Sequence, residues 1–156
     1  MKISEMIAGT MFMPPEWDRE FNHIHSDSRD IQPGDLFVAR KGHASHGQEF
    51  ISAAIDAGAV AVFSENAEMF RCESGNVPVF PVSDLEQQLP VWLQNRYPGF
   101  KSLTLYGVTG TNGKSSVTQF IAQLAAASGK RCGVVGTLGN GFFPDFEETK
   151  NTTPDI

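Results

Sequence analysis

Residues 103–116 have the sequence LTLYGVTGTNGKSS, and this stretch decides how the second half of the chain folds. The run 103–108 is apolar and β-prone, which predicts a strand, and a glycine-rich turn follows it. Beyond the turn, apolar residues recur at the three- and four-residue spacing of one helical face. These residues are Val117, Phe120, Ile121, Leu124 and Ala125. Phosphate-binding loops have this same order: a strand, a glycine loop that ends in Gly-Lys-Ser, and a helix.

The residue types of this loop suit a nucleoside triphosphate. Glycines let backbone N–H groups approach phosphate oxygens, and the N-terminus of the helix adds partial positive charge. Lys114 can reach the β- and γ-phosphates, and the Ser115 hydroxyl can ligate Mg²⁺. The spacing departs from the common pattern, because Val108 stands where that pattern has a glycine. An ordinary strand-to-helix turn that happens to contain Gly-Lys-Ser is therefore the alternative interpretation.

The composition is that of a globular protein. The 156 residues are 40% hydrophobic and 19% charged, with a net charge of −6, which suits one domain or two small ones. No cluster of Lys and Arg exists, which argues against nucleic acid or an anionic membrane as the main partner. The apolar runs fall far short of the ~18 residues of a membrane span, and no signal peptide is evident. Cys72 and Cys132 stand alone, which indicates reduced thiols in a cytoplasmic protein.

The first half of the chain predicts an α/β unit. Strands are expected at 36–39 and 59–63, and a helix of about three turns over residues 50–57, ended by Gly58, lies between them. Two prolines make the next apolar run, 77–82, an edge or irregular strand. Strand, helix and strand in this order are typical of α/β proteins.

A second helix follows in the first half. Ser83 and Glu86 fit a capping box at its start, and Pro90 is expected to kink or restart it. Its apolar face consists of Leu85, Leu89, Trp92 and Leu93. The Tyr-Pro-Gly-Phe sequence at 97–100 is the best domain boundary, so we expect domains at 1–97 and 98–156.

The second unit should be a βαβ unit. The helix that leaves the glycine loop is expected to reach about Ser128 and to end at Gly129, and 131–136 reads as the next strand. This strand and 103–108 should then be parallel, with a right-handed crossover. Loop-like segments follow at 137–141 and 151–154.

His23 and His25 flank Ile24 near the start of the chain. A metal site needs further ligands at suitable spacing, and the sequence shows none. Solvated or hydrogen-bonded histidines are therefore the favoured interpretation.

The sequence TGTNGKS at 109–115 resembles the ATP loop of the Mur ligase family, whose members add amino acids to the peptide of peptidoglycan precursors. Folylpolyglutamate synthases are similar at this loop. They lack the N-terminal domain of Mur ligases, which holds the uridine diphosphate end of the precursor and which the first half of this chain also resembles. The residues that carry this second resemblance are DSR at 27–29, PGDLFVA at 33–39, KGH at 41–43 and the helix before Gly58. The resemblance implies an N-terminal UDP-binding α/β domain followed by the start of a P-loop, Rossmann-like central domain.

Within the family, three motifs resemble the member that adds meso-diaminopimelate or L-lysine to UDP-N-acetylmuramoyl-L-alanyl-D-glutamate. They are GTNGK at 110–114, GT at 136–137 and NTTP at 151–154. The resemblance implies an ATP site with Lys114 as catalytic residue and Ser115 as magnesium ligand, made of Gly110, Thr111, Asn112, Gly113, Lys114, Ser115 and Ser116. It implies precursor contacts from Ser26, Ser28, His43, Ala44, Ser45, Asn151, Thr152 and Thr153. For 27–29 the alternative interpretation is an ordinary Asx or Ser turn, and for His43 it is a surface loop.

The implied reaction is ATP-dependent amide formation, with UDP-N-acetylmuramoyl-dipeptide and a diamino acid as partners. Mur ligases are much longer than this chain, so we expect a fragment of such a ligase that makes no amide bond alone. Two alternatives remain open. One is the D-alanyl-D-alanine-adding member of the family, and the other is a module that only binds a nucleotide sugar.

Overall fold

The computed structural model describes residues 1–41, 47–65, 67 and 70–148. The chain divides into two compact units, of which the first is Met1–Leu103 and the second begins at Thr104. No helix within the described ranges is long and apolar enough to cross a membrane.

The first unit is built on a five-stranded sheet with the strand order β1-β2-β3-β5-β4. Its strands are β1 (Ile24–His25), β2 (Leu36–Ala39), β3 (Ala61–Ser64), β4 (Arg71–Glu73) and β5 (Val77–Pro81). Neighbouring strands are parallel except β4, which pairs antiparallel with β5. The predicted α/β class is therefore confirmed. The strand expected at 36–39 is β2, and the strand expected at 59–63 is β3, which begins two residues later than expected.

Helices cover both faces of this sheet. They are α1 (Ile3–Met6), α2 (Ile51–Asp56) and α3 (Leu85–Arg96). Successive residues of β2 point to opposite faces. Leu36 and Val38 pack in one core with α1 and α3, whereas Phe37 and Ala39 pack in another with α2. Burial on both sides explains why β2 and β3 have apolar runs rather than alternating patterns.

The core on the α1 and α3 side centres on Trp92. Its side chain is fully buried, and its ring lies 4.7 Å from that of Phe63. The indole N–H donates a 2.7 Å hydrogen bond to Thr10 Oγ1, which satisfies the one polar atom of this side chain. The predicted apolar face of α3 is confirmed, because Leu85 and Leu89 are buried beside Trp92 and Leu93 packs against them.

The expectation for the start of α3 is wrong. Asp84, not Ser83, is the N-cap residue; its φ is 53°, and no side-chain hydrogen bond caps the helix. The backbone N–H of Val82 still bonds to Ser64 of β3, so the chain stays extended until the turn at Asp84. Pro90 lies inside one continuous helix. A proline there costs about 3 kcal/mol, which burial of three large apolar side chains on α3 outweighs.

The strand at 77–82 is also placed differently from expectation. β5 is an interior strand, because the short strand β4, which the sequence reading missed, covers its outer side. Pro78 faces Cys72 of β4, and Pro81 lies at the last position of β5.

The sequence reading missed α1 as well, a four-residue helix with Ile3 and Met6 buried. The helix expected at 50–57 is present, but only six residues are α-helical, after a 3₁₀ turn at Gly47–Phe50.

The second unit contains one helix and one small sheet. They are α4 (Lys114–Ala127) and the strands β6 (Gly133–Gly136), β7 (Gly139–Phe142) and β8 (Asp145–Glu147). The helix after the glycine loop and the strand at 131–136 are confirmed, and Gly129 follows the helix with a φ of 72°. The three strands form an antiparallel sheet in the order β6-β7-β8.

The predicted strand at 103–108 and its parallel pairing are wrong. These residues form no strand among the described residues, and Leu105 and Tyr106 are 76% and 72% exposed. β6 pairs instead with β7 across a two-residue turn. The turn and most of β7 lie in the segment 137–141, which was expected to be a loop. A local hairpin costs less loop-closure entropy than a parallel pairing across a helix. The φ of 116° at Gly139 suits glycine alone and favours this hairpin.

Candidate functional site

The glycine loop lies directly before α4. Gly113 is the N-cap residue with a φ of 77°, and Gly110 has a φ of 149°. A Cβ at Gly113 would meet no atom within 4 Å, so its backbone conformation, not the available space, favours glycine there. The seven residues predicted for the ATP site, 110–116, therefore form one continuous loop and the first turn of α4. The first N–H groups of such a helix have no intrahelical partner and favour an anion.

Lys114 is bound by its own loop. Its Nζ donates to the carbonyl oxygens of Gly110 and Thr111, at 2.6 and 3.4 Å. The ammonium group therefore lies over the loop that the sequence predicts to hold phosphate. A phosphate oxygen that reached Lys114 would exchange with these neutral carbonyls and form a stronger, charge-assisted bond.

Two hydroxyl groups meet beside Lys114. Ser115 Oγ lies 3.3 Å from Thr137 Oγ1, which belongs to the turn between β6 and β7. Ser115 is half-buried, whereas most of the loop is exposed. Hydroxyl oxygens are hard donors of the kind that Mg²⁺ accepts. The residues present therefore fit the predicted magnesium role of Ser115, and the structure adds Thr137 beside it.

Ser26 and Ser28 lie in the turn after β1. Both side chains are half-buried, and neither hydroxyl hydrogen-bonds to another residue within the described ranges. Between them, the Asp27 carboxylate accepts a 2.9 Å bond from the backbone N–H of Arg29 and binds its guanidinium group. The hydrogen bond and the charge of Asp27 raise the pKa of Arg29 above its usual value. This is the geometry of an Asx turn. The alternative interpretation of 27–29 as such a turn is therefore correct, and it does not exclude a binding role for the same segment.

The turn after β1 and the loop after β2 lie at the same edge of the sheet, because these two strands are parallel. Ligands of parallel α/β sheets bind at the carboxyl ends of strands. The loop after β2 contains His43, Ala44 and Ser45, which lie outside the described residues, as do three further predicted contact residues. Those three are Asn151, Thr152 and Thr153.

The ends of the loop after β2 are described and lie close together. The backbone N–H of Gly47 donates a 2.9 Å bond to the carbonyl oxygen of Arg40. A Cβ at Gly47 would lie 2.6 Å from that oxygen, so only glycine fits. Gly47 therefore holds the chain that follows the loop close to Arg40, just after β2. The sequence reading did not single out this glycine.

The sequence reading also missed Asp35 as a neighbour of the two histidines. Its carboxylate oxygens lie 3.4 Å from His23 Nδ1 and 3.3 Å from His25 Nε2. Asp35 is ten residues further along the chain, so the short His-Ile-His motif gave no sign of it. The Pro-Gly turn before an apolar strand was the available signal, because it places Asp35 at the start of β2, next to β1.

Comparisons with known proteins match both units. Residues 20–97 match the family described as Mur ligase family, catalytic domain, and residues 108–156 match the Mur ligase middle domain. Among curated proteins, UDP-N-acetylmuramoyl-L-alanyl-D-glutamate--2,6-diaminopimelate ligase of Haemophilus influenzae (strain PittGG) is 45% identical over 141 residues, which are 87% of this chain and 29% of that protein. The ligase with the same name from Pseudomonas putida is 45% identical over 152 residues, which are 96% of this chain and 30% of that protein.

Solved structures give a consistent result. The structure of a UDP-N-acetylmuramoyl-L-alanyl-D-glutamate--2,6-diaminopimelate ligase is 29% identical, with a TM-score of 0.67, and covers 99% of this chain and 31% of that one. MurF ligase from Thermotoga maritima in complex with ADP is 24% identical, with a TM-score of 0.51 over 74% of this chain and 25% of that one. At that identity the likeness shows the fold alone. The chain thus spans about 30% of the length of the curated relatives that it matches.

Proposed function

This chain belongs to the Mur ligase family, and we propose that it is part of an ATP-dependent ligase that adds 2,6-diaminopimelate to UDP-N-acetylmuramoyl-L-alanyl-D-glutamate. The observation that carries this proposal is the identity of 45% to ligases with that name across 87–96% of the chain. L-Lysine is the other diamino acid that such a ligase could take. Among solved structures, a diaminopimelate ligase is 29% identical and a D-alanyl-D-alanyl ligase from Acinetobacter baumannii is 20% identical, which makes the D-alanyl-D-alanine alternative weaker.

The proposed reaction has two steps. The γ-phosphoryl group of ATP passes to the glutamyl carboxylate of the precursor, which gives an acyl phosphate and ADP. The amine of the incoming diamino acid then attacks the acyl carbon, the amide bond forms, and inorganic phosphate leaves. Phosphoryl transfer of this kind depends mostly on positioning and on neutralisation of charge.

The residues before and within the first turn of α4 are proposed to supply the nucleotide site. Backbone N–H groups of the loop 110–116 would bind phosphate oxygens, and Lys114 would leave its loop carbonyls to bind the transferring phosphate. The Ser115 hydroxyl would hold Mg²⁺, which supplies further neutralisation of phosphate charge when bound. The half-buried position of Ser115 next to Thr137 Oγ1 supports this assignment.

The first unit is proposed to bind the nucleotide end of the precursor. Ser26 and Ser28 follow β1, and His43, Ala44 and Ser45 come after its parallel neighbour β2 in the sequence; the parallel pairing of these two strands supports the assignment. Ser26 would act through its backbone. Asn151, Thr152 and Thr153 are proposed to contact the muramoyl-peptide part. We place precursor binding in residues 1–97 and ATP binding in 98–156.

A cytoplasmic location fits this proposal, because ATP is the proposed co-substrate. The two cysteines support it, since both are free thiols and Cys72 is exposed.

The decisive experiment measures phosphate release by the whole ligase from which this sequence comes. The assay contains ATP, Mg²⁺, UDP-N-acetylmuramoyl-L-alanyl-D-glutamate and one acceptor at a time: meso-diaminopimelate, L-lysine or D-alanyl-D-alanine. We expect phosphate release with diaminopimelate and a product heavier by one diaminopimelate residue in mass spectrometry. Turnover with L-lysine alone would change the proposed acceptor. A second assay pairs D-alanyl-D-alanine with the UDP-N-acetylmuramoyl-tripeptide, and turnover in that assay alone would overturn the proposal.

A further inference from the structure

We propose that His23, His25 and Asp35 form a binding site for a divalent transition-metal ion, with Zn²⁺ as the ion that fits best. The ligand atoms of the three side chains all lie within 4.8 Å of one another. Imidazole nitrogen and carboxylate oxygen are common ligands of Zn²⁺ in proteins. The proposed nucleotide and precursor sites use none of these three residues.

The fold places these groups together. His23 and His25 are two positions apart in extended chain, so their side chains share one side of β1, while Ile24 between them is buried in the core. Asp35 immediately precedes β2, the parallel neighbour of β1. The backbone N–H of Leu36 bonds to the carbonyl oxygen of His23, which fixes the two segments side by side.

The Asp35 carboxylate is held rigidly. It is 1% exposed, and it accepts backbone hydrogen bonds from His23 at 3.1 Å and from Gln32 at 2.9 Å. Such support from groups behind the ligand orients carboxylates in metal sites and strengthens binding. The His23 side chain is 70% exposed and that of His25 is 26% exposed, so an ion can reach both rings from solvent. A water molecule could occupy the fourth position.

The observed separations match the ligand spacing of a metal site. Tetrahedral ligands about 2.0–2.2 Å from Zn²⁺ lie roughly 3.4 Å from one another. The Asp35 oxygens lie 3.4 Å from His23 Nδ1 and 3.3 Å from His25 Nε2. Charge-assisted hydrogen bonds are shorter, at about 2.7–2.9 Å. The two imidazoles thus approach one buried carboxylate, His23 through Oδ1 and His25 through Oδ2, at the spacing of ligands that share an ion.

The test is a calorimetric titration of ZnCl₂, and separately of NiCl₂, into this chain without a histidine tag. The chain carries Cys72→Ser and Cys132→Ser, because free thiols would bind the same metals. We expect one site per chain. His25→Asn and His23→Asn should each weaken binding by at least about tenfold, since even changes to groups that only orient ligands cost 10–100-fold. Glu49→Gln, which changes an exposed carboxylate that is described and not part of the cluster, should bind as the parent does.

Asp35→Asn is a third variant, but loss of its backbone hydrogen bonds could disturb the fold. The two histidine variants therefore carry the test, with far-UV circular dichroism as the check on folding. NMR of the imidazole C–H signals should show His23 and His25 shifted by Zn²⁺ and broadened by Ni²⁺. Absence of a saturable site at millimolar metal, or unchanged affinity in His25→Asn, would overturn the proposal. Neither result bears on the ligase activity proposed above, which the acceptor assay tests separately.

Discussion

At the scale of single residues, Lys114 is the group on which the proposed chemistry depends most. It is the one cation that the loop 110–116 contributes by sequence. Its ammonium group is held by two backbone carbonyls of that loop, so it lies close to where phosphate would bind. Exchange of these carbonyls for a phosphate oxygen would order the loop and neutralise charge in one event.

Lys114→Ala in the whole ligase should therefore lower kcat by well over tenfold, where each factor of ten corresponds to ~1.4 kcal/mol of barrier. The measurement is steady-state phosphate release with saturating ATP, precursor and acceptor. Lys130→Ala, an exposed lysine of the same unit, is the matched control and should keep normal activity. A Lys114→Ala enzyme that retains more than about a tenth of the parent kcat would contradict the role assigned to this lysine.

At the scale of elements, α3 shows how tertiary packing overrides local signals. Pro90 would end an isolated helix, yet α3 continues through it because its apolar face is buried against the sheet. The backbone N–H that a helix would offer at position 90 is missing, and its partner carbonyl at Glu86 loses an intrahelical bond. Because only this one hydrogen bond is lost, replacement of Pro90 alone should restore it.

Pro90→Ala should raise the free energy of unfolding by roughly 1–3 kcal/mol, because the helix regains a hydrogen bond and loses a steric clash. The gain is partly offset by greater freedom of the unfolded chain. Urea unfolding measures this change in the free energy of unfolding. Gln87→Ala is the control, because Gln87 is an exposed residue of the same helix and its replacement should change stability by at most about 0.5 kcal/mol. A lower stability of Pro90→Ala would mean that the fixed φ of proline supports the helix.

The elements also show what the sequence could and could not reveal. The runs that became β2 and β3 are continuously apolar, and the one that became α4 has a clear helical period, so all three were predicted with nearly correct bounds. β4 was missed because its three residues, RCE, have no apolar period and depend on β5 for pairing. The strand at 103–108 was predicted from composition, but a strand needs a partner, and pairing is not a local property.

The same contrast between local patterns and tertiary contacts applies to the candidate sites. The glycine loop was recognisable because all its residues are consecutive in the chain. The Asp35 neighbourhood was not, because it depends on the register of β1 against β2. Gly47 was also missed, since its reason is a close approach to Arg40 that only coordinates reveal.

At the scale of the whole molecule, the chain consists of two units that match two different family domains. Three large apolar residues of α4 are exposed: Val117, Phe120 and Leu124 are 44%, 60% and 69% exposed. The glycine loop before this helix is exposed as well. Bound ATP would have to displace Lys114 from the loop carbonyls that it now contacts, which lowers affinity.

We therefore expect this 156-residue chain alone to release no phosphate above background in the acceptor assay. The whole ligase, at equal concentration, is the positive control. Calorimetry with UDP should still show weak binding, because β1 and β2, the strands before the proposed contact residues, both belong to the first unit. Turnover by the chain at a rate comparable with the whole ligase would show that the catalytic groups lie within these residues.

The position of Trp92 has a consequence for spectroscopy. The chain has two tryptophans, Trp17 and Trp92, and both belong to the first unit. The Trp92 indole lies in an apolar core against Phe63, so its emission should be blue-shifted in the native state and move to longer wavelength when that core opens. Intrinsic fluorescence excited at the tryptophan band therefore follows the first unit alone, while the ellipticity of helices includes α4. Superposition of the two melting curves would indicate that the units unfold together, and separate curves would give the stability of each.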